Sequence, residues 1–131
     1  MFHPLISMAS VNGLLAVLLG AFMTHSLQES ITEELLSTFQ TGVTYHMYHS
    51  LALLAVSLLN LQFPHSRLLK LSAYSFLLGI ILFSGSLYSL TLTEVRGLGI
   101  ITPIGGIFLI LGWIALCLFG AKTDYRNNSF K

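Results

Sequence analysis

His46 and His49 are three residues apart, so on an α-helix they share one face, with Gly42 and Leu53 on the same side. Imidazole titrates near ambient pH, which suits it to moving a proton or holding a metal. Together with His25, the pair would form a metal- or proton-handling group. The stronger reading is plainer: each imidazole hydrogen-bonds a neighbouring hydroxyl or carbonyl and pins helices in register. An i, i+3 pair with no adjacent carboxylate or cysteine is a weak metal signal. Bis-imidazole haem ligation by His25 with His46 or His49 has no other pocket feature behind it. Nucleophilic catalysis by Ser84 or Ser86 would need a histidine and an orienting carboxylate, and Glu94 belongs to a surface cluster. Cys117 is the sole cysteine and reads as a packing residue. The sequence therefore predicts no catalytic residues, no metal and no cofactor, and a protein that is not an enzyme.

The elements that carry these residues follow from charge placement. The chain of 131 residues has eleven charged side chains, six basic and five acidic, gathered in four short clusters. Between and before them lie uncharged apolar stretches at 1–28, 35–66, 71–93 and 97–121. Each exceeds the ~20 residues an α-helix needs to cross a hydrocarbon core. Lipid offers backbone groups no hydrogen-bond partner, so such segments must be helical, and the alternation of barrel strands is absent. At 54% apolar and 8% charged residues, the bilayer must act as solvent. A net charge of +1 without a dense basic tract excludes nucleic acid as a partner. The fold class predicted is all-α integral membrane, with four transmembrane helices in a compact bundle. The spans cover about 5–24, 41–62, 67–90 and 102–121, and a short amphipathic helix precedes the second. Residues 1–121 form this domain and 122–131 a polar tail. No Lys or Arg precedes the first apolar run, so that span is expected to be retained rather than cleaved as a signal.

Local signals set the helix ends. Ser30-Ile31-Thr32-Glu33 reads as a capping box. A straight helix from Ile31 to Leu61 would be about 46 Å long, so a bend or tilt is predicted near Thr41-Gly42. Pro64 ends the second span, Ser66 caps the third, and Gly97 and Gly99 make a turn. Thr102 and Pro103 then have N-cap and N1 character. Small residues form stripes for close helix packing: Ala9, Gly13, Ala16 and Gly20 on the first helix, and Gly105, Gly112 and Gly120 on the fourth. Gly42, Gly79, Gly85 and Gly106 are further packing candidates. The Gly105-Gly106 pair could also mark an unwound helix start, although packing is the better explanation.

Orientation comes from Lys and Arg. Arg67, Lys70, Lys122, Arg126 and Lys131 fall on one side, and Arg96 alone on the other. The positive-inside rule places both termini and the second connection in the cytoplasm. Depth can then be assigned to each polar group. His25, Gln40, Thr41, Tyr45, His46, His49, Ser84, Ser86, Tyr88 and Thr102 all reach the outer half, whereas the inner halves are mostly Leu, Ile, Val and Ala. Tyr45, Tyr48 and Tyr88 suit rings near an interface.

Four ordered motifs extend this reading. They are Gly20-Ala21-Phe22 with His25, Phe39-Gln40-Thr41-Gly42-Val43 leading to Tyr45-His46-Met47-Tyr48-His49, Leu82-Phe83-Ser84-Gly85-Ser86-Leu87-Tyr88, and Ile101-Thr102-Pro103-Ile104-Gly105-Gly106. Over nearly the whole chain they resemble the small bacterial inner-membrane family called domain of unknown function 423, related to eukaryotic transmembrane protein 256. Met23 and Thr24 stand where that family usually has glycine and alanine. The resemblance implies a four-helix integral membrane protein and transfers no activity. Three functions compete. The leading one is a non-enzymatic protein acting by self-association, or as an accessory of a membrane complex, with lipids and other membrane proteins as partners. The second is a small oligomeric transporter or proton conductor using the outer layer. The third is a lipid- or quinone-binding site lined by Tyr45, His49 and Tyr88.

Overall fold

A computed structural model describes residues 3–122, which include one residue, Lys122, of the predicted tail; its remainder, 123–131, lies outside them. The described chain is helical throughout. Helix α1 runs Pro4–Phe22 with Pro4 at its first turn, where a missing N–H costs nothing, and continues into a π-helical turn, Met23–Leu27. Helix α2 runs Glu33–Gln62. Helix α3, Arg67–Gly79, passes through a second π-helical turn, Ile80–Ser84, into α4, Gly85–Thr93, so one rod extends from Arg67 to Thr93. A 3-10 turn, Arg96–Ile100, leads directly into α5, Ile101–Lys122.

Three of these rods are long and apolar enough to cross a membrane: Pro4–Leu27, Arg67–Thr93 and Arg96–Lys122. Helix α2 is the longest single helix at 30 residues, but its first half carries Gln40, Thr41, Thr44, His46 and His49, which lower its apolar character.

Several expected boundaries shift. Thr32, not Ser30, caps α2, its hydroxyl accepting from the Leu35 N–H at 3.3 Å. The expected amphipathic helix is not a separate element: α2 is continuous through Thr41-Gly42, and that segment forms its first turns. Gly42 interrupts nothing: its carbonyl accepts a hydrogen bond from Ser84 Oγ at 2.8 Å, and the Tyr88 ring packs over it. Ser66 caps α3 as expected, accepting from the Leu69 N–H at 3.3 Å. Thr102 lies inside α5 instead of capping it, because the 3-10 turn feeds the helix without a break. Helix α4 closes on Glu94 in the left-handed region, with φ 57°.

Packing is less compact than a closed bundle. Helix α2 is central and meets α1, α3, the π turn and α4, while α5 packs on α3 and that same π turn. Helix α1 rests chiefly on α2 and buries only Ala9 and Ala16. Much of its apolar surface, including Val11, Leu14, Val17 and Leu18, is exposed. The core lies between α2, α3 and α5, where Leu53, Val56, Leu69, Ala73 and Phe76 are fully buried. Ser72 reaches across it, donating to the Gly112 carbonyl at 2.8 Å.

Candidate functional site

The polar layer assembles around the two buried histidines of α2. His46 lies between α1 and α4: its Nε2 is 3.2 Å from Asn12 Oδ1, and its Nδ1 is 3.0 Å from the Tyr88 hydroxyl. Asn12 spends its Nδ2 on the Met8 carbonyl at 2.8 Å, which leaves Oδ1 as an acceptor. His46 must therefore donate from Nε2 and accept from Tyr88 at Nδ1. His49 takes the opposite tautomer. Its Nδ1 donates to the Tyr45 carbonyl at 2.8 Å, and its Nε2 accepts from the indole N–H of Trp113 at 3.1 Å. All four ring nitrogens are thus engaged in hydrogen bonds. Rings complete the packing: Phe39 lies 4.9 Å from Tyr88, and His49 lies 5.6 Å from Phe76, centroid to centroid.

Beside this pair, Ser84 binds the Gly42 carbonyl, and Ser86 Oγ lies 2.7 Å from Thr102 Oγ1 while donating to the Phe83 carbonyl at 2.8 Å. Ser84, Ser86, Tyr88, His46, His49 and Thr102 therefore converge from α2, the rod Arg67–Thr93 and α5. The remaining predicted members do not. His25 is exposed in the π turn that ends α1, and its side chain forms no hydrogen bond with another described residue. Gln40 reaches only Thr44, at 3.3 Å, and Thr41 only the Ser37 carbonyl on its own helix, at 3.0 Å. Tyr45 joins at the edge only: it contributes its carbonyl, and its exposed ring stacks 5.9 Å from the His49 ring and 4.7 Å from Phe83. Among the described residues, no three His, Cys, Asp or Glu side chains gather within reach of one ion.

Two members escaped the sequence reading, Asn12 and Trp113. Asn12 is the single amide within an otherwise apolar first span, and such a group needs a partner there; that isolation was the available signal. Trp113, the only tryptophan, sits mid-helix rather than at an interface, which hid its N–H among packing residues.

The glycines divide into used and idle. A Cβ on Gly105 would lie 2.7 Å from backbone atoms of Leu82 and Phe83, on Gly112 2.5 Å from the Phe76 ring, and on Gly79 2.7 Å from Leu109. One on Gly42 would meet Tyr88 at 2.8 Å, and one on Gly20 would meet Val43 at 3.3 Å. Gly106 has ordinary contact with Phe83, whereas Gly13, Gly85 and Gly120 face open space. Close packing explains Gly105, and α5 is not unwound there. The small-residue stripes are consumed largely inside the chain, so they no longer argue for a partner.

One lateral opening remains against the site. Between α2 and α5, a cavity of about 710 Å³ is lined by Tyr45, Tyr48, His49, Phe83, Gly106 and Trp113, among others. Tyr45 and His49 line it but Tyr88 does not, so the trio Tyr45, His49 and Tyr88 is not brought together there.

Comparison with known proteins places this architecture among relatives. A family model described as protein of unknown function (DUF423) matches residues 19–106. UPF0382 membrane protein YwdK of Bacillus subtilis is 41% identical over 117 residues, covering 89% of this chain and 95% of its own length. A UPF0382 membrane protein of Haemophilus influenzae is 40% identical over 123 residues, covering 94% and 98%. UPF0382 membrane protein SAB0533 of Staphylococcus aureus is 42% identical over 113 residues, covering 86% and 91%. No solved structure matches.

Proposed function

The chain belongs to the DUF423 family of membrane proteins, and from that premise we propose a four-span, non-enzymatic protein of the bacterial cell membrane that acts by association. The observation that carries this reading is that all four imidazole nitrogens are hydrogen-bonded, three of them in bonds that join α2 to α1, α4 and α5. A layer bonded in this way serves as a clamp. It supports a rigid body whose working surface is its exterior, and it argues against a proton relay.

Helix α2 serves as the fourth span because the polar side chains along its middle and second half largely face protein. His46, His49, Ser50 and Ser57 are buried, while Leu51, Leu58 and Leu61 are exposed. At about 45 Å it exceeds a ~30 Å hydrocarbon core, so its first turns lie in the headgroup region. The Lys/Arg asymmetry supports cytoplasmic termini. Reporter fusions at the carboxyl end test this: a cytoplasmic reporter should be active there and a periplasmic one silent, and the reverse would overturn the orientation.

The α2–α5 cavity offers the association surface, since its rim of Tyr48, Trp113 and Ile110 is exposed and rich in aromatic rings. The occupant is a helix of another membrane protein or of a second copy. Native mass measurement in mild detergent, with cross-linking through cysteines placed at Tyr48 and Ile110 in a Cys117→Ala background, tests the idea. A monomer with no cross-link and no co-purifying protein would end it. A retained lipid or quinone mass would instead favour the ligand-groove reading, which the free hydroxyls of Tyr45 and Tyr48 support.

A further inference from the structure

A second cavity, of about 760 Å³, opens at the end of the molecule where α2 begins and α4 stops. Its floor is apolar, built from Leu35, Phe83, Leu87 and Leu90. Its mouth carries Thr32, Glu34, Glu94 and Arg96. None of these three charged side chains forms an ion pair with another described residue. Two carboxylates and one guanidinium therefore surround a single apolar-floored opening, with local charges −1, −1 and +1. Val95 and Ile100, on either side of Arg96 in the connecting turn, are exposed. Charged groups at the ends of apolar rods mark the boundary between hydrocarbon and water. The cavity thus has a polar rim at headgroup depth and a greasy interior beneath it.

From this combination we infer that the cavity binds a phospholipid whose headgroup holds both a primary ammonium and a phosphate. An ammonium with three N–H donors matches the carboxylates of Glu34 and Glu94. Arg96 presents its planar fork to the phosphate. One acyl chain lies along Leu35, Leu87 and Leu90. An anionic headgroup lacking the ammonium would meet two unpaired carboxylates, and a trimethylated one could not donate hydrogen bonds to them. The inference concerns a different cavity from the association surface, and it holds whichever side of the membrane this end faces.

The test is lipid retention by the full chain, purified in mild detergent and titrated with phosphatidylethanolamine, phosphatidylcholine and phosphatidylglycerol of identical chains, read by native mass spectrometry. Phosphatidylethanolamine should bind about tenfold more tightly than phosphatidylglycerol, the scale of one charge-assisted hydrogen bond. Glu94→Gln and Arg96→Gln should each weaken it by about tenfold, whereas Glu29→Gln, outside the cavity, should not. Equal retention of the three lipids by the unaltered chain overturns the proposal, and this comparison needs no variant to fold. So does a preference for phosphatidylglycerol, or an equal response of Glu94→Gln and Glu29→Gln.

Discussion

Helix α1 lies along α2 through Ala9, Ala16 and Gly20, and among the described residues one side-chain hydrogen bond, Asn12 to His46 at 3.2 Å, ties it to another helix. A double-mutant cycle over Asn12→Ala and His46→Ala isolates that bond. Interhelical hydrogen bonds in membrane proteins average about 0.6 kcal/mol and reach about 1.7 kcal/mol. The coupling expected here lies in that range. The two single changes should differ in cost. Asn12→Ala leaves one buried ring nitrogen unpaired, about 1–2 kcal/mol. His46→Ala strands both Asn12 Oδ1 and the Tyr88 hydroxyl and empties a site that is 4% exposed, so it should cost about 3–5 kcal/mol. Reversible unfolding in mixed detergent micelles, followed by the fluorescence of Trp113, reads all four corners of the cycle. Strict additivity, with both single variants folded, would refute the reasoning, because residues in one hydrogen-bonded chain must couple.

The glycines supply a graded series. Gly105→Ala drives a methyl into the backbone of the facing π turn and should destabilise by at least about 1–3 kcal/mol, whereas Gly85→Ala should be neutral or stabilising by up to about 1 kcal/mol; equal midpoints in thermal unfolding would contradict this. Trp113→Phe keeps a ring against Phe76 but leaves His49 Nε2 without its donor, a cost of about 1–2 kcal/mol that vanishes in a His49→Phe background. Asn60 Oδ1 is buried with no partner among the described residues, beside a cavity of about 90 Å³ at the opposite end of α2, so Asn60→Leu should leave the unfolding midpoint unchanged or raise it. A fall of several degrees there would show that the acceptor is used.

Much of the fold was legible because membrane helices announce themselves through charge. The apolar runs marked three rods apolar enough to span and the long α2, and the Pro64 and Ser66 signals placed the α2–α3 boundary where it occurs. The Thr102-Pro103 start signal misled because a preceding 3-10 turn can satisfy a helix end without a cap. Neither π turn was legible, since no residue type marks one. Within the site, the convergence of His46, His49, Ser84, Ser86, Tyr88 and Thr102 could be read from shared depth, and the failure of His25, Gln40 and Thr41 to join them could not.

Composition and charge order alone settled that this chain is helical and lives in lipid, and residue number sets how far along its helix each polar group lies, because an α-helix rises a constant ~1.5 Å per residue. Rotation about each axis and the choice of neighbour have no such ruler. They depend on which side chains interlock across helices distant in sequence. Only the folded molecule therefore decided that Asn12 and Trp113 would meet the histidines, that α1 would stand at the edge, and that Glu34, Glu94 and Arg96 would ring one cavity.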